Sequence, residues 1–233
     1  MPLKQVTTVM IMRILDFLSD LIFPNRCGFC DELIAWDEYA CDKCIDKIEF
    51  ADNPIEKDNN GNFKLCVSAV HYGGAAKNGI LNLKHPEGIN AAKYLVPFLC
   101  ESLEKAGLFG KIDIVTAVPV YQRKLSEKRY NHAEVIAKLV AKRLGCDENY
   151  KIIGRRKTKF LQRELSRDER IEAVKGVYFI KDKIPDVKGK TILVCDDIIT
   201  TGSTLSDCSR LLLEAGAKEV YACALATTSK SLK

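Results

Sequence analysis

The stretch Ile192-Leu193-Val194-Cys195-Asp196-Asp197-Ile198-Ile199-Thr200-Thr201-Gly202-Ser203-Thr204 carries four apolar positions into two carboxylates, and a hydroxyl-rich turn follows at once. The apolar run is short and β-branched, and it reads as a buried strand of a parallel sheet over Thr191 to Val194. The carboxylates at its C-terminal end can accept hydrogen bonds from vicinal hydroxyls. The turn opens a predicted helix over Leu205 to Ala215. Side-chain hydroxyls and free backbone N–H groups therefore converge where the helix dipole favours an anion. A hydroxyl pair and a phosphate one short loop apart describe a ribose 5-phosphate. An ordinary strand-to-helix turn would use one Asp as a cap and the glycine at its bend. It accounts neither for the second Asp nor for the four hydroxyl residues around Gly202.

Working outward, strand and helix signals alternate. Strands are predicted at Leu65 to Tyr72, Ile112 to Val118, Val177 to Ile180 and Glu219 to Ala226. Helices are predicted at Ala75 to Leu83, Ile89 to Ala106 and Ala133 to Leu144. Such alternation implies an α/β fold with a mostly parallel sheet covered on both faces, ligands sitting beyond the C-terminal strand ends. Asn131 reads as the cap of its helix and His132 as a first-turn surface residue without an assigned role. Residues 49–62 are polar and turn-rich, a linker or hairpin region. Residues 9–23 place Ile11, Ile14, Leu15, Leu18, Leu21 and Ile22 at helical spacing, an amphipathic helix ending at Phe23-Pro24.

The 233 residues, 47% hydrophobic and 29% charged with a net charge of +5, suit one substantial soluble domain plus a small module. No uncharged span approaches the roughly 18 residues of a membrane helix, and no small-residue cleavage site precedes Cys27. A cytoplasmic protein without integral membrane insertion is expected. Of ten cysteines, six are scattered singly. The other four form two C-x-x-C knuckles, Cys27 with Cys30 and Cys41 with Cys44. Four thiolates at this spacing suit structural Zn²⁺; a redox-active pair rarely comes in tandem and lacks a thioredoxin-like context here. The expected organisation is an N-terminal helix (1–25), a four-cysteine zinc module (26–48), a linker (49–62) and the main domain (63–233).

The strand, the two acids and the Thr-Thr-Gly-x-Thr loop resemble the 5-phosphoribosyl-1-pyrophosphate (PRPP) motif of type I phosphoribosyltransferases. By that resemblance Asp196 and Asp197, the catalytic candidates, hold the ribose 2- and 3-hydroxyls. Thr200, Thr201, Gly202, Ser203 and Thr204 cradle the 5-phosphate. The loop after Val118-Pro119 would carry pyrophosphate, which makes Tyr121, Gln122 and Arg123 candidates; a solvated loop charge is the equal alternative for Arg123. Residues Lys151 to Arg163 hold six cations and no acid, and they occupy the place of the mobile catalytic loop. Arg155 and Arg156 are therefore further pyrophosphate candidates, with Lys84 a weaker one. The same stretch, interleaved with Phe160, also suits the backbone phosphates of single-stranded DNA.

The ordered set narrows the family. Phe23-Pro24 before the knuckles, Tyr72-Gly73-Gly74, Leu83-Lys84 before a long helix, and Val118-Pro119 all resemble the ComF competence family, also called amidophosphoribosyltransferase-like. So do Arg129-Tyr130-Asn131-His132 and Thr158 to Gln162 before Leu165-Ser166-Arg167-Asp168-Glu169-Arg170. The likeness runs from about Leu15 to Thr227, although Arg129 stands where relatives carry Gly. It implies a type I phosphoribosyltransferase-like domain with an N-terminal zinc module. It further implies a PRPP or other ribose 5-phosphate ligand, with Mg²⁺, and transfer of the phosphoribosyl group to a nitrogen nucleophile. The alternative is a non-catalytic DNA-uptake factor that binds single-stranded DNA through the basic loop and zinc module, beside a competence-protein partner. No segment announces an acceptor pocket.

Overall fold

β-Branched and small apolar residues cluster in short runs that are buried on both sides, and these become the strands of a central sheet. The computed structural model describes residues 24–51, 58, 60–85, 88–120, 130–156, 176–181 and 187–228. The strands are β1 (Cys66–His71), β2 (Ile114–Ala117), β3 (Asp147–Glu148), β4 (Ile153–Arg155), β5 (Tyr178–Ile180), β6 (Thr191–Ile199) and β7 (Glu219–Thr227). Five of them form a sheet in the order β1-β7-β6-β2-β3, and every pairing in it is parallel. β6 lies in the middle, with Leu193 opposite Val115 on one side and Tyr221 on the other.

Successive residues of these strands face opposite ways. Leu193 and Cys195 join Val115, Ala117, Cys223 and Leu225 in one core. Ile192 and Val194 join Ile114, Ala222 and Ala224 in the other. The first core is closed by α2 (Gly74–Asn82), α3 (Ile89–Lys105) and α4 (His132–Leu144). The second is closed by α5 (Ser203–Glu214) and by the antiparallel β4–β5 pair. The chain leaves β2 for α4 on one face and leaves the adjacent β6 for α5 on the other. That reversal opens a crevice beyond the C-terminal ends of β2 and β6.

The cysteine module packs directly on the helices. It includes the short α1 (Asp42–Ile45) and an antiparallel bridge between Arg26 and Leu33. Phe29, 1% exposed, lies edge-on to Tyr94 of α3 at 5.7 Å. The Asn90 amide donates to Asn25 Oδ1 at 2.8 Å and to the Arg26 carbonyl at 2.9 Å. Backbones meet so closely that a Cβ on Gly28 would lie 2.2 Å from the Ala91 nitrogen. Residues 49–51 then run beside β1, with Phe50 bridged to Val70 and the Ala51 N–H donating to Ala69.

Three differences from the sequence reading matter. The strand expected to stop at Val194 continues to Ile199, because β7 keeps pairing with it through Ile198 and Ile199. The two carboxylates are therefore inside a strand and not on a free loop. The stretch expected to begin a mobile loop at Lys151 starts with buried Ile152 and Ile153, and β4 pairs with β5 there. The two-residue β3 was not anticipated. The predicted helix at 9–23, the candidates Tyr121, Gln122 and Arg123, and residues 157–163 lie outside the described residues. Among the described residues no helix is long and apolar enough to cross a membrane.

Candidate functional site

Because Asp196 and Asp197 are neighbours in an extended strand, their side chains leave β6 on opposite faces. Asp196 continues the row of Ile192 and Val194, toward Tyr178, Cys208 and Arg155. Asp197 turns to the other face, where its Oδ2 lies 3.1 Å from His132 Nε2, both side chains largely buried. Each carboxylate also accepts the N–H of the next residue: Asp197 N to Asp196 Oδ1 at 2.9 Å, and Ile198 N to Asp197 Oδ1 at 2.8 Å.

The environments drive the two carboxyls apart. Burial, and then the charge of Asp197, push Asp196 well above the ordinary carboxylate range; Arg155 and the Asp197 N–H offset only part of this. Burial also pushes Asp197 upward, but the hydrogen bond and charge of His132 outweigh it and hold Asp197 below the ordinary value. The titrations of the two neighbouring carboxyls are thus pushed in opposite directions by their surroundings.

Beyond Ile199 the backbone turns through Gly202, whose φ of 74° is a left-handed conformation that a side chain disfavours. Gly202 is the N-cap of α5, so no side chain caps this twelve-residue helix. Its first-turn N–H groups and positive dipole end face outward with the hydroxyls of the turn. The Thr201 and Ser203 hydroxyls are 2.9 Å apart, and the Ser203 N–H reaches Thr201 Oγ1 at 3.4 Å. The helix start is tied from behind. Ser206 Oγ donates to Asp58 Oδ2 at 2.9 Å and accepts from the Asn62 amide at 2.9 Å. The arrangement can hold a terminal phosphate on α5 and a hydroxylated ring against β6.

Arg155 comes to this site by way of the hairpin. Its guanidinium lies 5.6 Å from the centre of the Tyr178 ring, and its Nε is buried without a hydrogen-bond partner among the described residues. A buried donor of this kind awaits an acceptor. Arg156, exposed, instead covers Phe179 at 5.3 Å, one residue on and so on the other side of the strand. Lys84 is exposed beyond the end of α2, and no described side-chain bond links it to the phosphate-sized loop. Sequence reasoning left out His132 and Tyr178. Asn131-His132 was visible as a helix start, and Asn131 does cap α4 by accepting the Ala133 N–H at 3.0 Å. Nothing local announced that the crossover of α4 would bring His132 onto Asp197.

At the far side of the first core, the sulfurs of Cys27, Cys30, Cys41 and Cys44 all lie within 4.8 Å of one another. Cys30 and Cys41 are 3.6 Å apart. Tetrahedral Zn²⁺ with bonds of about 2.3 Å needs sulfurs about 3.8 Å apart, so the set fits structural zinc. Burial raises the Cys27 thiol, but backbone N–H groups of Cys41, Phe29 and Cys30 outweigh it and bring it to about 7. Those N–H donors suit a bound thiolate. Burial raises Cys44.

Residues 131–233 match a phosphoribosyl transferase domain and residues 18–55 a double zinc ribbon domain. Competence protein F of Haemophilus influenzae is 28% identical over 114 residues, 49% of this chain and 50% of that one. The DNA utilization protein YhgH of Escherichia coli K12 is 28% identical over 116 residues, half of each chain. This chain thus spans about half the length of the curated relatives it matches. Among solved structures, a purine phosphoribosyltransferase from Pyrococcus horikoshii covers 58% of this chain and 72% of its own at 21% identity, with a TM-score of 0.36.

Proposed function

Because the chain belongs to the ComF family, which joins a zinc module to a phosphoribosyltransferase domain, we propose that it binds PRPP at the C-terminal end of β6 and passes the phosphoribosyl group to a nitrogen nucleophile. The observation that carries this reading is the pairing of Asp196 and Asp197 with a helix start capped only by glycine. The 5-phosphate accepts N–H groups of α5 and the hydroxyls of Thr201 and Ser203. Thr200 and Thr204 complete the cradle. The ribose hydroxyls donate to the carboxyl oxygens of Asp196 and Asp197, the latter held below its ordinary value by His132.

In the reaction the bond from C1 to pyrophosphate breaks, pyrophosphate leaves with the electron pair, and C1 gains oxocarbenium character. The nucleophile's nitrogen lone pair then forms the new bond and its proton is lost. Asp197, with its lowered carboxyl pKa, would stabilise the positive sugar, and Asp196 would help fix its orientation. Arg155, with an unused buried Nε–H, is the described cation suited to the departing pyrophosphate. The hard oxygen donors of the site suit Mg²⁺, which when bound neutralises pyrophosphate charge. The chain's free cysteines fit a cytoplasmic setting.

Calorimetry with ribose 5-phosphate, and with PRPP and Mg²⁺, tests the proposal. Binding of both, lost in Asp197→Ala, is expected; absence of heat from either ligand overturns it. Pyrophosphate release, screened against nucleobases and amines, then distinguishes turnover from binding alone.

A second reading draws on Arg156, exposed over Phe179, and on relatives named for competence and DNA utilization. Here the hairpin and zinc module hold single-stranded DNA. Charge reversal at Arg155 and Arg156 that leaves oligonucleotide affinity and its salt slope unchanged removes this reading.

A further inference from the structure

A groove of about 300 Å³ lies on the outer side of α3 and α4, floored by Val96, Pro97 and Leu139. Its rim carries Lys93, Lys142 and Arg143, and none of the described residues that line it is acidic. Tyr39, from the loop between the two cysteine knuckles, forms one wall, and the Lys93 ammonium sits 5.2 Å from the centre of its ring. Lys142 and Arg143 are exposed, on the last turn of α4. Pro97 has no N–H to donate, so the Lys93 carbonyl one turn earlier lacks its usual helical partner and remains an acceptor beside the groove.

We propose that this groove is a docking site for an acidic, aliphatic segment of a partner protein. Two adjacent helices offer a channel into which an amphipathic helix can lay Leu or Ile side chains. The three cations on the rim then meet Asp or Glu on the segment's flanks, which gives the site its charge preference and speeds encounter. Single-stranded nucleic acid matches less well. It gains affinity by stacking bases on free aromatic faces, whereas this floor is aliphatic and the one lining ring is already covered by Lys93. The zinc module contributes Tyr39, so that wall of the groove is present only while the module is docked on the main domain. It lies toward the end of α4, whereas His132 and the carboxylates lie at its start. The proposal stands independently of the ribose phosphate reading.

The test is selection of a random-peptide display library on the full zinc-loaded protein, followed by fluorescence anisotropy with the enriched peptides. Enrichment of peptides rich in Asp, Glu, Leu and Ile is expected. Their affinity should fall at least tenfold in the double variant Lys142→Glu, Arg143→Glu, and should fall with added salt. Lys138→Glu, an exposed change on the same helix that does not line the groove, should leave it unaltered. A library that yields no acidic peptide, or acidic peptides that bind both proteins equally, overturns the proposal. So does an oligothymidine that displaces the peptides and itself loses affinity in the double variant.

Discussion

At the scale of single residues, two adjacent carboxyls are shifted in opposite directions. Asp197 is depressed by His132, so its stabilising contribution is present above the ordinary carboxylate pKa and is lost as pH falls through its lower folded value. Asp196 has the reverse sign. Its folded pKa is raised, so the folded state is favoured at low pH and loses that advantage as pH rises toward the raised value. Asp196→Asn should therefore raise the Tm at pH 8, with a smaller gain at pH 4. It should also weaken ribose 5-phosphate binding, a trade of stability against function. Thermal melts at the two pH values check the sign, and an equal shift at both would contradict it. His132→Gln keeps a hydrogen-bond donor and removes the charge. Affinity for ribose 5-phosphate should fall by several-fold, because Asp197 loses the partner that holds it below its ordinary value, as titration calorimetry can read.

At the scale of elements, the phosphate-sized loop depends on how β6 hands the chain to α5. The turn needs φ of 74° at Gly202, and the space above it is ordinary, with Ile199 and Phe63 at 3.7 and 3.8 Å from a built Cβ. Gly202→Ala should therefore cost conformational strain and not a clash, about 1–2 kcal/mol. A greater proportional loss is expected in ribose 5-phosphate affinity, because the N–H groups at the start of α5 would be reoriented. Denaturant melts and calorimetry on the same variant separate the two effects. Unchanged affinity would mean that the helix start does not hold the phosphate. The hairpin serves a parallel purpose: pairing Arg155 with Tyr178 sends the guanidinium toward Asp196 and sends Arg156 away.

At the scale of the whole molecule, the zinc module and the sheet share one core. Phe29, Cys27 and Cys44 belong to the same buried cluster as Ile80, Leu95 and Leu193. Burial of the Phe29 side chain alone represents roughly 1.5–3 kcal/mol. Removing zinc with a chelator should therefore lower the Tm of the entire protein in a single transition, by several degrees or more. Two separated transitions in calorimetry would show instead that the module unfolds by itself. Gly28→Ala offers a metal-independent check. Its Cβ would meet the Ala91 backbone at 2.2 Å, so the module must lift from α3, at a cost of about 1–3 kcal/mol, while bound zinc stays near one ion per chain.

Much of this was legible in the chain itself, for a local reason. Side-chain period and the spacing of acids, hydroxyls and cysteines are short-range properties. Strand β6 as far as Val194, the turn at Gly202, helix α5 and the two C-x-x-C knuckles follow from residues a few positions apart. What the tertiary structure alone decided involves residues distant in sequence. The partner strand β7 carries β6 past Val194, and alternation then divides Asp196 from Asp197. A crossover brings His132 to one of them, and a hairpin brings Arg155 near the other. No local pattern encodes such meetings, because they arise only when the sheet has closed and its two faces have been covered.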